Sequence, residues 1–142
     1  AFITATATLE YYWSSDSFVK EINRKANLMH DFLMQIVDSY PSSALFVKGR
    51  GMMQGIECIN GKVAAAVCQE AFERGLIIET SGNQSQVIKC FCPLTISEDD
   101  LLKGMAILHL SFAAVLTVKN TMNAMQLLNE QVLNFTPEPE SK

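Results

Sequence analysis

The chain has 142 residues, 49% of them hydrophobic, and a formal charge of −4 at pH 7, which suits one globular domain and excludes a disordered or fibrous polymer. The basic residues are scattered instead of forming a stripe, so nucleic acid is not an expected partner. Four cysteines without a signal-peptide pattern point to a reduced, cytoplasmic setting and not to a disulfide scaffold, and the absent initiator Met hints that residue 1 is not the natural start.

Residues 1–13 mix Thr, Ala and aromatics with no start signal, as in a helix entered midway, and Ser14, Ser15 and Asp16 then supply capping chemistry. Phe18, Ile22, Ala26, Met29, Leu33 and Ile36 recur at three- and four-residue steps, with Lys20, Glu21, Arg24, Lys25, Asp31 and Asp38 largely opposite them. This spacing predicts an amphipathic helix over residues 17–40, ended by Pro41. Residues 45–59 are punctuated by Gly49, Gly51 and Gly55 between apolar pairs, which predicts two short strands or one bent strand. A phosphate cradle at Gly49-Arg50-Gly51 is disfavoured, because no helix start follows those glycines.

Residues 61–74 have high helix propensity and meet a stop at Gly75. Two apolar runs, residues 76–78 and 87–91, flank a polar Gly/Asn/Ser segment and predict strand, loop, strand. Ser97 with Asp100 forms a variant capping box ahead of a long helix from about Glu98, which is apolar on nearly all sides to Val118 and so must be covered by neighbours. The apolar run 105–118 is shorter than the ~20 residues a membrane-spanning helix needs, so a membrane is not an expected partner. Residues 120–134 suggest a further helix, and residues 136–142 a frayed tail. This order of elements predicts an α+β fold, a small, mostly antiparallel sheet with helices on one face. The other face is left for a second domain or subunit.

Alternation in the second strand puts Val87, Lys89 and Phe91 on one face and Ile88, Cys90 and Cys92 on the other. Lys89 is a cation in an apolar strand: it must reach solvent, pair with a carboxylate or receive an anionic ligand. Snorkelling and ligand binding are equally compatible with the sequence mechanics. Cys58, Cys68, Cys90 and Cys92 lack the spacing of a zinc site and read as buried thiols, so no metal is expected. His30 and His109 lie far apart without a nucleophile pattern, and Glu98, Asp99 and Asp100 are explained by capping.

The segments "KGRGMMQGIE", "AFERGLIIETSG" and "VIKCFCPLTISEDDL" together resemble the C-terminal small domain of class III, ornithine-type, pyridoxal-phosphate aminotransferases. The loop from Glu79 to Gly82, the strand end from Cys90 to Pro93 and the opening "TATATLEYYW" are similar to the branch that makes 2,4-diaminobutyrate for ectoine synthesis. The resemblance covers residues 1 to about 114. It implies residues 1–16 as the end of an inter-domain helix, residues 17–119 as the small domain, and residues 120–142 as an extra helix and tail outside the family pattern.

It further implies pyridoxal 5′-phosphate as cofactor, a homo-oligomer, and transfer of an amino group from L-glutamate to L-aspartate 4-semialdehyde, giving L-2,4-diaminobutyrate and 2-oxoglutarate. The family's anchoring lysine and cofactor contacts belong to segments upstream of residue 1, so this chain alone is expected to be inactive, with no catalytic or cofactor-binding residue of its own. Lys89 matches a position where many members carry an Arg that grips a substrate carboxylate, which implies Lys89 as the substrate-binding residue. The rival readings are a free-standing α+β binding or assembly module, and a class III transaminase using ornithine or 4-aminobutyrate as donor.

Overall fold

The computed structural model of the chain describes the backbone of residues 2–133 and the side chains of residues 2–117. Helices α1 (Phe2–Tyr12) and α2 (Ser17–Ser39) precede the hairpin β1 (Phe46–Arg50) and β2 (Met53–Glu57); α3 (Gly61–Glu73), β3 (Glu79–Ser81), β4 (Val87–Phe91) and α4 (Glu98–Leu133) follow. The four strands form one sheet in the order β1-β2-β4-β3, antiparallel throughout. Helices α2 and α3 lie against the strands and α4 packs across both of them. This is the expected α+β layer.

The core lies between helices and sheet. Met29, Leu33 and Ile36 of α2, Val67 of α3, Ile56 and Ile88 of the sheet, and Leu108 and Phe112 of α4 are all fully buried. Helix α3 begins at Asn60, whose side chain accepts a hydrogen bond from the Val63 N–H at 3.0 Å, satisfying one of the helix's free donors. Helix α4 begins with the expected capping box: Ser97 Oγ accepts from the Asp100 N–H and donates to the Asp100 carboxylate. Asp16, by contrast, makes no side-chain cap at α2.

The structure corrects several expectations. The strand expected at residues 76–78 lies three residues later, as β3. The reason is the end of α3, where Gly75 takes φ +90° and the N–H groups of Gly75 and Leu76 donate to the carbonyls of Phe72 and Ala71, a Schellman closure. With its N–H held by the helix end, Leu76 cannot enter a strand ladder.

Helix α4 is one continuous helix to Leu133, so the further helix expected from residue 120 is its continuation; the tail expected at residues 136–142 lies outside the described residues. Among the described side chains of α4, Leu101, Met105, Leu108, Ser111, Phe112 and Leu116 are buried, whereas Leu110 is 56% exposed. By length and composition its segment Glu98–Thr117 is sufficient to cross a membrane, and the sequence argument from length therefore does not hold. The buried stripe against α2 and α3 accounts for the apolar residues on that side as core.

A further correction is Lys25, which belongs to the interior. It is 1% exposed, and its ammonium donates to the carbonyls of Leu94 at 3.2 Å and Ile96 at 2.7 Å and pairs with the Glu21 carboxylate at 2.8 Å. Its three protons thus meet three oxygens. The four thiols are free. Burial pushes Cys58 and Cys90 up to about 12 and raises Cys68 and Cys92.

Lys25→Met should lower stability in denaturant unfolding by about 2–4 kcal/mol, because two part-buried carbonyls lose their donor; a loss below about 0.5 kcal/mol would show that water replaces the ammonium. Iodoacetamide at pH 8 should label Cys68 and Cys92 before Cys58 and Cys90, which react only on unfolding. The fold holds the Cys58 and Cys90 protons more tightly than the unfolded chain does. Their contribution is therefore intact below about pH 9 and lost as pH rises toward about 12, visible as an alkaline fall in the denaturation midpoint.

Candidate functional site

Strand register decides which side chains share the uncovered sheet face. Pairing sets Phe46 opposite Glu57, Lys48 opposite Gly55, Met53 opposite Phe91, Gly55 opposite Lys89, and Glu79 opposite Lys89. Since directly paired residues point to the same side, two lysines flank a glycine at the middle of this face. A Cβ on Gly55 would lie 2.3 Å from the Ile88 carbonyl oxygen, so the close approach of β4 requires glycine there.

Each lysine has an acidic partner. Lys48 reaches Glu57 at 3.0 Å and Lys89 reaches Glu79 at 3.1 Å. Hydrogen bonds from Lys48 and then Gln86 hold the Glu57 carboxyl below the usual carboxylate range. Of the three outcomes open to Lys89, the structure contains the carboxylate pair. That pair is wet: the side chains are 36% and 74% exposed. It stands at the rim of a cleft of about 360 Å³ between the β3–β4 edge and the first turns of α4, lined by Leu76, Ile78, Cys90, Ile96 and Met105. Around the two ion pairs the face is apolar, with Phe46, Met53 and Phe91 more than half exposed.

Glu79 was not among the sequence candidates. The signal for it is an acidic residue directly across the ladder from a strand lysine, which becomes visible only once β3 is placed at 79–81. His30 Nδ1–H donates to Gln54 Oε1, 3.0 Å away, and His109 is half-buried on α4; they are not brought together. Arg24 pairs with Glu98, and Ser97 and then Lys103 hold the Asp100 carboxyl below its usual range. These acidic groups are therefore engaged at the helix start. Among the described residues no group of three or more His, Cys, Asp or Glu side chains is placed to hold a metal.

A Schiff-base anchor needs a lysine able to give up its proton beside a cavity. The one buried lysine among the described residues, Lys25, has all its protons engaged, and Lys48, Lys89 and Lys103 are ion-paired toward solvent.

A family model described as aminotransferase class-III matches residues 1–112. The chain is 43% identical over 118 residues to a diaminobutyrate–2-oxoglutarate transaminase of Bordetella parapertussis, covering 82% of this chain and 27% of that protein. It is 46% identical over 119 residues to one of Halalkalibacterium halodurans, covering 84% and 28%. The chain thus spans little more than a quarter of the length of these relatives. A solved Bacillus anthracis aminotransferase superposes with a TM-score of 0.67 at 19% identity, over 78% of this chain and 27% of that one, a likeness of fold.

Proposed function

This chain belongs to the class III aminotransferase family, and from that premise we propose that it is the C-terminal part of a pyridoxal-phosphate-dependent transaminase. The intact protein moves an amino group from L-glutamate to L-aspartate 4-semialdehyde, giving L-2,4-diaminobutyrate and 2-oxoglutarate. The observation that carries this reading is identity above 40% to diaminobutyrate–2-oxoglutarate transaminases over four fifths of the chain.

In this proposal residues 17–119 are the small domain, residues 1–16 end an inter-domain helix, and the cofactor, which supplies the electron sink for the transfer, is held by the remainder of the intact protein. The engagement of Lys25, Lys48, Lys89 and Lys103 with oxygen partners is in keeping with an inactive fragment. The uncovered face and the exposed Phe2, Ile3, Leu9 and Tyr11 of α1 support burial against that remainder or a second subunit. The cytoplasm keeps the four thiols reduced.

Lys89 is the residue proposed to bind substrate. Glutamate, 2-oxoglutarate and the semialdehyde each carry a carboxylate, and an ammonium paired only with a well-exposed Glu79 can exchange that partner for another carboxylate at little cost. Glu79 then acts as the resident rival of the substrate. An ammonium is a point charge, so the grip tolerates a range of carboxylate angles that a guanidinium fork does not.

The intact enzyme should prefer aspartate semialdehyde with glutamate over ornithine or 4-aminobutyrate as donor in a coupled assay, and the isolated 142-residue chain should give no turnover; preference for another donor overturns the substrate assignment. Lys89→Ala should raise KM for glutamate by about ten- to a hundredfold with little change in the denaturation midpoint. An unchanged KM rejects the role. Glu79→Gln should lower KM for glutamate by about two- to fivefold, whereas a rise would make Glu79 a support for Lys89 and not a rival.

A further inference from the structure

Away from the Lys89 face, between α2 and the turn of the β1–β2 hairpin, a polar groove is lined by Asn23, Asn27, His30, Arg50, Gly51 and Gln54. We propose that this groove is an oxyanion-binding site, for the phosphate or carboxylate of a small molecule. The site is argued independently of the transaminase reading, which enters only through the cofactor-loaded protein used in its test.

The groove is built around a buried amide. Gln54 is 5% exposed on the helix-covered side of the sheet, and its Nε2 donates to the Ala26 carbonyl at 2.9 Å and the Gly51 carbonyl at 2.7 Å. Both amide protons are thereby engaged and the Oε1 is left as acceptor, so the 3.0 Å contact with His30 is a bond donated by imidazole Nδ1–H. That bond fixes the ring and directs Nε2 away from Gln54. A three-bond network of this kind is costly to bury unless every member is satisfied, and here every member is.

The other polar side chains of the groove are the Asn23 and Asn27 amides and the Arg50 guanidinium, which has no ion-pair partner among the described residues. The lining contains no Asp or Glu. Donors without a carboxylate around a fixed ring and a guanidinium recognise an anion with several oxygens, since the guanidinium engages two of them at once. Gly51, at φ +60° with open space where a Cβ would stand, keeps the lip of the groove clear. The glycines of the Gly49-Arg50-Gly51 turn therefore serve an arginine and an imidazole from α2, and not the helix N-terminus that the phosphate-cradle pattern requires.

The test is calorimetric titration of the intact protein, loaded with pyridoxal phosphate so that the cofactor's own phosphate site is filled, with sulfate in one arm and acetate in the other. Saturable binding of sulfate alone assigns phosphate groups to the site, and binding of both admits carboxylates. In either case Arg50→Gln should weaken binding about tenfold, and His30→Gln should weaken it too, with the fold unchanged by circular dichroism and cofactor absorbance retained. No saturable binding of either anion up to about 50 mM, or binding that neither substitution alters, overturns the proposal.

Discussion

The buried ammonium of Lys25 is the constraint on which the site-bearing half of the fold depends. Removing a charge from water costs several kcal/mol unless its partners replace the lost hydration, and Lys25 has one partner for each of its protons. Two of these are main-chain carbonyls of Leu94 and Ile96, in the segment that leaves β4 and enters α4. One side chain from the third turn of α2 therefore fixes the path of the chain immediately after Lys89 and sets Ser97 where it caps α4. Strand, connection and helix start are held to α2 by this contact.

The sheet then divides the chemistry by face. On the covered side Ile56, Ile88 and Cys90 join the core and Gln54 is the one buried polar strand residue. On the other side Lys48 and Lys89 stand on either side of Gly55, each with a glutamate. A two-residue period across all four strands is what collects these charges, and a slip of one residue in β4 would bury Lys89 among the helices. Phe46, Met53 and Phe91 surround them with exposed apolar surface. A patch of that kind on a sheet face marks an interaction surface.

Much of this was legible in the chain. The three- and four-residue steps of α2, the glycine-broken hairpin, the Ser97–Asp100 cap and the alternation of β4 follow from local rules, and local rules govern those elements. What escaped depends on partners far along the sequence. Lys25 reads as an outward cation by helical spacing, because nothing local reveals that carbonyls 69 and 71 residues away come to meet it. Glu79 reads as loop because the helix closure at Leu76, and not the apolarity of residues 76–78, decides where β3 starts. Gln54 reads as one polar residue in a strand until α2 brings His30 and the Ala26 carbonyl to it.

Two lysines of this fold thus meet the same problem, a cation in apolar surroundings, with opposite results. Lys25 has three oxygens, two of them main-chain carbonyls that cannot move without unwinding the connection to α4, and almost no water. Breaking that set costs the desolvation of every group in it, so Lys25 serves structure alone. Lys89 has one partner on a neighbouring strand, and both side chains reach solvent. An exposed pair contributes only about 0.2–1 kcal/mol, less than a well-placed charge-assisted bond to a ligand carboxylate supplies. The cation held loosely at the rim of a cleft is the one equipped to change partners, and the proposed role of Lys89 rests on that difference in holding more than on the charge itself.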